Sequence, residues 1–103
     1  AAIVRNLYRL WFSYPTAMGI TWWNVVDGGA APGEPSFSGI YDKEMNPKPV
    51  YQTLDGLING EWKTRLTLNA GADGSVKFRG FKGRYRITYT DTDGNVKTTE
   101  ILL

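Results

Sequence analysis

The 103-residue chain contains no cysteine and no histidine. The first absence removes any disulfide framework and any thiolate metal site; the second removes the usual neutral metal ligand and the side chain that titrates near neutral pH. Ser/His/Asp and Cys/His nucleophilic machinery therefore has no place within the chain, and neither a metal nor another cofactor is expected. Charge of one sign is scarce as well. Twelve Lys and Arg are interspersed with ten Asp and Glu for a net charge of +2, so no basic stripe for gripping a phosphate backbone stands out, and nucleic acid is not an expected partner. No apolar run is long enough to cross a bilayer, and no membrane partner is expected. The opening residues read directly as a helix rather than as a charged leader with a small-residue cleavage site, so a secreted or extracellular location would draw its export signal from a longer precursor.

What is present divides the chain in two. Ile3, Val4, Leu7, Tyr8, Leu10, Trp11 and Phe12 recur at helical spacing opposite Arg5, Asn6 and Arg9, which predicts an amphipathic helix ending near Ser13, Tyr14 and Pro15. Residues 18–26 have few polar side chains and read as a strand covered on both faces, followed by a Gly/Ala/Pro/Ser loop over 28–38 in which Pro32 and Pro35 forbid regular structure. Asn46 then reads as the cap of a second helix with Pro47 in its first turn, Val50, Tyr51, Leu54, Leu57 and Ile58 as its apolar stripe, and Asn59-Gly60 as its stop. After Gly60 the hydrophobic period changes to two, in four stretches near 62–68, 76–79, 85–89 and 96–102. Asp73-Gly74 and Asp93-Gly94 are hairpin signals. The expected domains are residues 1–60, an α/β segment, and residues 61–103, a small antiparallel β module resembling part of a β-sandwich.

The order Gly19-Ile20-Thr21-Trp22-Trp23-Asn24-Val25-Val26-Asp27, then Gly39-Ile40-Tyr41-Asp42, then Asn46-Pro47-Lys48-Pro49-Val50-Tyr51 resembles the last strand, loop and final helix of family 10 glycoside hydrolases, the endo-β-1,4-xylanases. Arg5-Asn6-Leu7-Tyr8-Arg9-Leu10-Trp11-Phe12 is similar to the helix before that strand. The resemblance implies that residues 1–60 are the last helix-strand-helix of a (β/α)8 barrel. Such a barrel needs roughly 250 residues, so the chain would be the C-terminal part of a secreted, xylan-degrading hydrolase. Its two catalytic glutamates would lie upstream, leaving this chain inactive alone and partnered by the rest of the hydrolase and by xylan or xylo-oligosaccharide.

By the same resemblance Trp23 would line the wall around the bound sugar, and Asp27 would support the catalytic centre through hydrogen bonds. The bland readings are barrel core for Trp23 and a loop-closing carboxylate for Asp27. Asn24 could orient neighbours or cap the strand end. The chain has Gly28-Gly29-Ala30-Ala31 where family members carry another tryptophan. In the β module Trp62 and Phe81 are candidates for accessory sugar stacking. The alternative for these rings is the core of a module too small to spare apolar surface. A third reading makes the module a purely structural brace.

Overall fold

The computed structural model describes all residues 1–103 and resolves into two compact units, Ala1–Trp62 and Lys63–Leu103. No helix is long and apolar enough to cross a membrane.

In the first unit, helix α1 spans Ala2–Phe12 and ends at Ser13. The Ser13 hydroxyl donates to the Leu10 carbonyl at 2.6 Å, satisfying one of the carbonyls that a helix end leaves open. Helix α2 spans Pro49–Asp55. It starts at Pro49 rather than near Pro47, because Lys48 in front of a proline is confined to extended backbone, with ψ 164°, and so becomes the cap residue. Pro47 lies outside the helix in an antiparallel bridge with Tyr41. Beyond Asp55 the chain continues into a π-helical turn, Gly56–Glu61, closed by the Trp62 N–H on the Leu57 carbonyl at 2.8 Å. This wider turn replaces the expected stop at Asn59-Gly60, and it carries Glu61 and Trp62 back to α1. There Arg5 and Arg9 pair with Glu61 at 2.6 and 3.3 Å, and Trp62 stacks on Phe12 with ring centres 4.0 Å apart.

The core of this unit is small. Tyr8, Leu54 and Leu57 are buried, with Val4, Ile20, Trp22, Ile40, Val50 and Trp62 packed around them. Residues 20–26 alternate strictly: Ile20, Trp22, Asn24 and Val26 are half-buried, while Thr21, Trp23 and Val25 are exposed. The expected strand covered on both faces is thus covered on one. Its only ladder contact is a parallel bridge from Val26 to Tyr41, and the main chain of residues 18–24 takes part in no main-chain hydrogen bond. Two adjacent tryptophans give the stretch its buried look, yet one indole points at the core and its neighbour, one residue on, must point away.

The second unit is built on a hairpin of β1 (Arg84–Thr90) and β2 (Val96–Leu102), antiparallel, with Arg84 opposite Leu102 and Thr90 opposite Val96. Tyr85 and Ile87 are half-buried on one face of β1, whereas Arg84 and Arg86 are exposed on the other. Of the four expected strands these two form the sheet; residues 62–68 and 76–79 join no ladder.

One turn recurs three times. In Asp42-Lys43-Glu44-Met45-Asn46, Gly71-Ala72-Asp73-Gly74-Ser75 and Asp91-Thr92-Asp93-Gly94-Asn95, the first N–H donates to the fifth carbonyl and the fourth N–H to the first carbonyl, all at 2.8–3.1 Å. An aspartate inside each loop accepts from the loop's own amides. The fourth residue has positive φ in every copy: 65° at Met45, 77° at Gly74 and 82° at Gly94. Asn46, read from the sequence as a helix cap, instead closes the first of these turns.

Candidate functional site

The polar residues singled out from the sequence do converge, at the end of the 20–26 segment. Because alternate residues share a side, Trp22 and Asn24 both face the loop over 28–38. The Trp22 indole N–H donates to the Ser38 carbonyl at 3.1 Å, and the Asn24 amide donates to the Ser38 hydroxyl at 2.8 Å and to Glu34 Oε2 at 3.0 Å. Glu34 in turn accepts the Ala31 N–H at 3.3 Å. A loop whose prolines deny it regular structure is held in this way by three side-chain anchors.

Asp27 supplies the next tie. Its carboxylate is only 9% exposed and accepts the Gly39 N–H at 2.9 Å and the Lys48 ammonium at 2.8 and 3.0 Å. Lys48 also donates to the Phe37 carbonyl at 2.9 Å. The Asp27 oxygens are thereby spent on the loop's far end and on the cap residue of α2. This is the geometry of a loop-closing carboxylate, a brace rather than a group presented to a ligand. Gly39 sits so close to the bend that a Cβ there would strike the main chain of Val26 and Asp27, which is why the chain needs glycine at that position.

Trp23 does not join this cluster. It is 77% exposed, on the opposite side of the segment from Asn24. A shallow hollow of about 180 Å³ between α1 and residues 21–23 is lined by Trp23 together with Leu7 and Trp11. Trp62 belongs to the first unit and stacks on Phe12, while Phe81, in the second, is 43% exposed and uses its carbonyl to accept the Tyr85 hydroxyl at 2.7 Å. The two lie in different units. No group of three or more Asp, Glu, His or Cys side chains is placed to hold a metal ion.

Sequence reasoning missed Lys48, Glu34 and Ser38, which complete the cluster. Lys48 carried a readable signal: a residue between two prolines has a nearly fixed backbone, so its side chain is aimed by covalent geometry. Glu34 and Ser38 carried none, because their partners become neighbours only when the loop closes.

Comparison with known proteins changes the reading of these residues. No family model matches the chain, and no solved structure matches it. Among curated proteins it is similar to anti-sigma-I factor RsgI6 of Acetivibrio thermocellus, 34% identical over 87 residues. The match takes in 84% of this chain but 11% of that protein, so the chain spans about a tenth of the relative's length. The relative bears the name of a regulator, and no glycoside hydrolase model answers to the chain. This overturns the resemblance to family 10 glycoside hydrolases, the xylan-degrading function drawn from it, and the expected partners, the remainder of a hydrolase and xylan. The residues that carried the resemblance have local duties here: Trp22 anchors a loop, Gly39 allows a close approach, Tyr41 bridges two segments and Pro49 starts a helix. A motif made of such residues reports how a chain bends more than what it binds. What the chain shares with the relative, at this coverage, is a segment.

Proposed function

We propose that the chain is a segment of a longer regulatory protein of the anti-sigma-I-factor type, whose partner is a sigma factor, and that residues 1–62 serve in it as a scaffold. The match to anti-sigma-I factor RsgI6 over 87 residues carries this reading. The geometry supports the scaffold role. The cluster around Asp27 holds its carboxylate and ammonium groups in internal bonds, whereas the apolar groups that would join other chain are displayed: Ile3, Met18, Trp23 and Phe37 are each more than three-quarters exposed. Apolar side chains of this size left in water suit contact with further chain. In fold terms, residues 1–62 supply a helix, an extended segment and a helix to a larger α/β layer, and residues 18–24 supply main-chain groups for neighbouring strands to pair with.

Two measurements test this. A sigma factor is expected to co-purify with the longer protein; its absence removes the regulatory half of the reading. Trp23→Asp is expected to lower the stability of the longer protein by about 2 kcal/mol, the scale of losing one large buried apolar side chain, and to leave the 103-residue chain unchanged. Equal effects in both contexts remove the scaffold half.

A further inference from the structure

The second unit contains an unfilled slot. A cavity of about 650 Å³ lies between residues 64–68 and β1, walled by Leu66, Leu68, Val76, Phe78, Ile87 and Tyr89. This is within the size range of recognition pockets. Its lining includes consecutive residues of both parities from β1, Arg86 and Thr88 as well as Ile87 and Tyr89, so it runs along the edge of the strand and not only under one face.

The hydrogen bonds say which edge this is. Gly83 and Leu103 exchange both main-chain bonds, at 3.1 and 2.9 Å, and Asp91 donates to Asn95 at 2.9 Å. In an antiparallel pair these positions alternate. Tyr85, Ile87 and Tyr89 therefore turn their main-chain groups toward β2, and Arg84, Arg86 and Thr88 turn theirs away from it. No main-chain bond from outside the hairpin reaches those three residues, and residues 64–68 make none either. One end of the slot is pinned where the Tyr85 hydroxyl meets Thr64 Oγ1 at 3.1 Å. Two chain segments with unspent amides and carbonyls thus flank an apolar space.

We propose that this slot accepts an acidic, extended peptide strand from a protein partner, which pairs with the free edge of β1 and lays alternate apolar side chains into the cavity. Strand addition of this kind draws affinity from main-chain bonds and selectivity from alternate side chains. Charge complementarity fixes the partner's sign. The unit Lys63–Leu103 carries eight Lys and Arg against four Asp and Glu, and Arg65 and Arg86 stand on the slot itself. The Arg86 side chain is 75% exposed and held only by Glu100 at 3.6 Å, a long pairing that a closer carboxylate would displace.

The test is a magnetic-resonance titration of the 103-residue chain with two capped synthetic heptapeptides, one alternating Val with Glu and one alternating Val with Lys. The Glu peptide is expected to bind and to slow amide exchange at Arg86 and Thr88 by about tenfold or more, the mark of new main-chain bonds; the Lys peptide is expected to leave both amides unchanged. Thr88→Pro removes a donor on the free edge without touching the β2 ladder and is expected to abolish binding. Arg86→Glu, which keeps every main-chain group, is expected to weaken it about tenfold. No protection at millimolar Glu peptide, equal binding of the Lys peptide, undiminished binding by Arg86→Glu, or capture of a single-stranded oligonucleotide in place of the peptide would each overturn the proposal.

Discussion

Met45 holds φ at 65°, a region that side chains with a Cβ enter at a cost of about 1–2 kcal/mol. The equivalent position in the other two five-residue turns is glycine, Gly74 and Gly94. Met45→Gly is therefore expected to raise stability by about 0.5–1 kcal/mol, the strain removed less the added freedom of the unfolded chain, as a higher urea midpoint. Gly39→Ala runs the other way. Its Cβ would meet main chain that cannot swing aside, and a loss of about 3 kcal/mol is expected in the same assay, at the upper end for overpacking. Lys48→Met strips the ammonium from a carboxylate that is 9% exposed and is expected to destabilise by about 2 kcal/mol, whereas pairing Lys48→Met with Asp27→Leu restores part of that loss.

Among the elements, the three aspartate turns share a dependence on ionisation. The Asn46 side-chain and main-chain N–H groups hold the Asp42 carboxyl below its ordinary range; Ser75 does the same for Asp73, and Lys97 followed by the Asn95 N–H does so for Asp91. A carboxyl depressed in the folded state adds stability that is complete above its unfolded value, about 3.9, and that drains away as pH falls through the lower folded value. The denaturant midpoint is thus expected to hold steady from neutral pH to about 5 and to fall below about 4. Replacing Asp91 with Ser, which keeps an acceptor but cannot ionise, should flatten that fall.

How much of these elements could be read from sequence depended on whether the deciding partner was near in the chain. Helix α1 was legible because its period and the Ser-Tyr-Pro stop lie within a few residues, and the β1–β2 hairpin because Asp93-Gly94 marks its turn. The start of α2 was misplaced because two prolines compete for the first turn, and Lys48, whose N–H bonds to the Ile40 carbonyl, decides between them. At the candidate site the sequence singles out Asn24 and Asp27, with a loop-closing carboxylate among the readings of Asp27, but it does not name their partners. Their real partners, Glu34, Ser38, Gly39 and Lys48, lie ten to twenty-one residues away and meet them only after the loop has folded.

For the molecule as a whole, the balance of surface decides behaviour. Three buried side chains make a thin core for 103 residues, and a small domain leans heavily on what little it buries. The two units also differ in sign: Ala1–Trp62 has four Lys and Arg against six Asp and Glu, the reverse of the excess in Lys63–Leu103. Under the proposed function, an environment-sensitive apolar dye is expected to brighten on the 103-residue chain and much less on the longer protein, with Trp23→Asp dimming the signal from the former. A dark dye in both would mean that the exposed rings are covered in some other way.

The unpaired main chain of residues 18–24 carries one more consequence. It lies inside a stretch, residues 10–26, without a single charged side chain, so nothing electrostatic keeps two copies of it apart. Neutral, aromatic and β-prone sequence with open backbone groups is the substance from which cross-β fibrils grow, and gatekeeper charges are what ordinarily prevent it. Concentrated solutions of the chain are expected to turn into thioflavin-positive fibres through this segment, and a single lysine in place of Thr21 or Val25, on its outward side, should be enough to keep them clear.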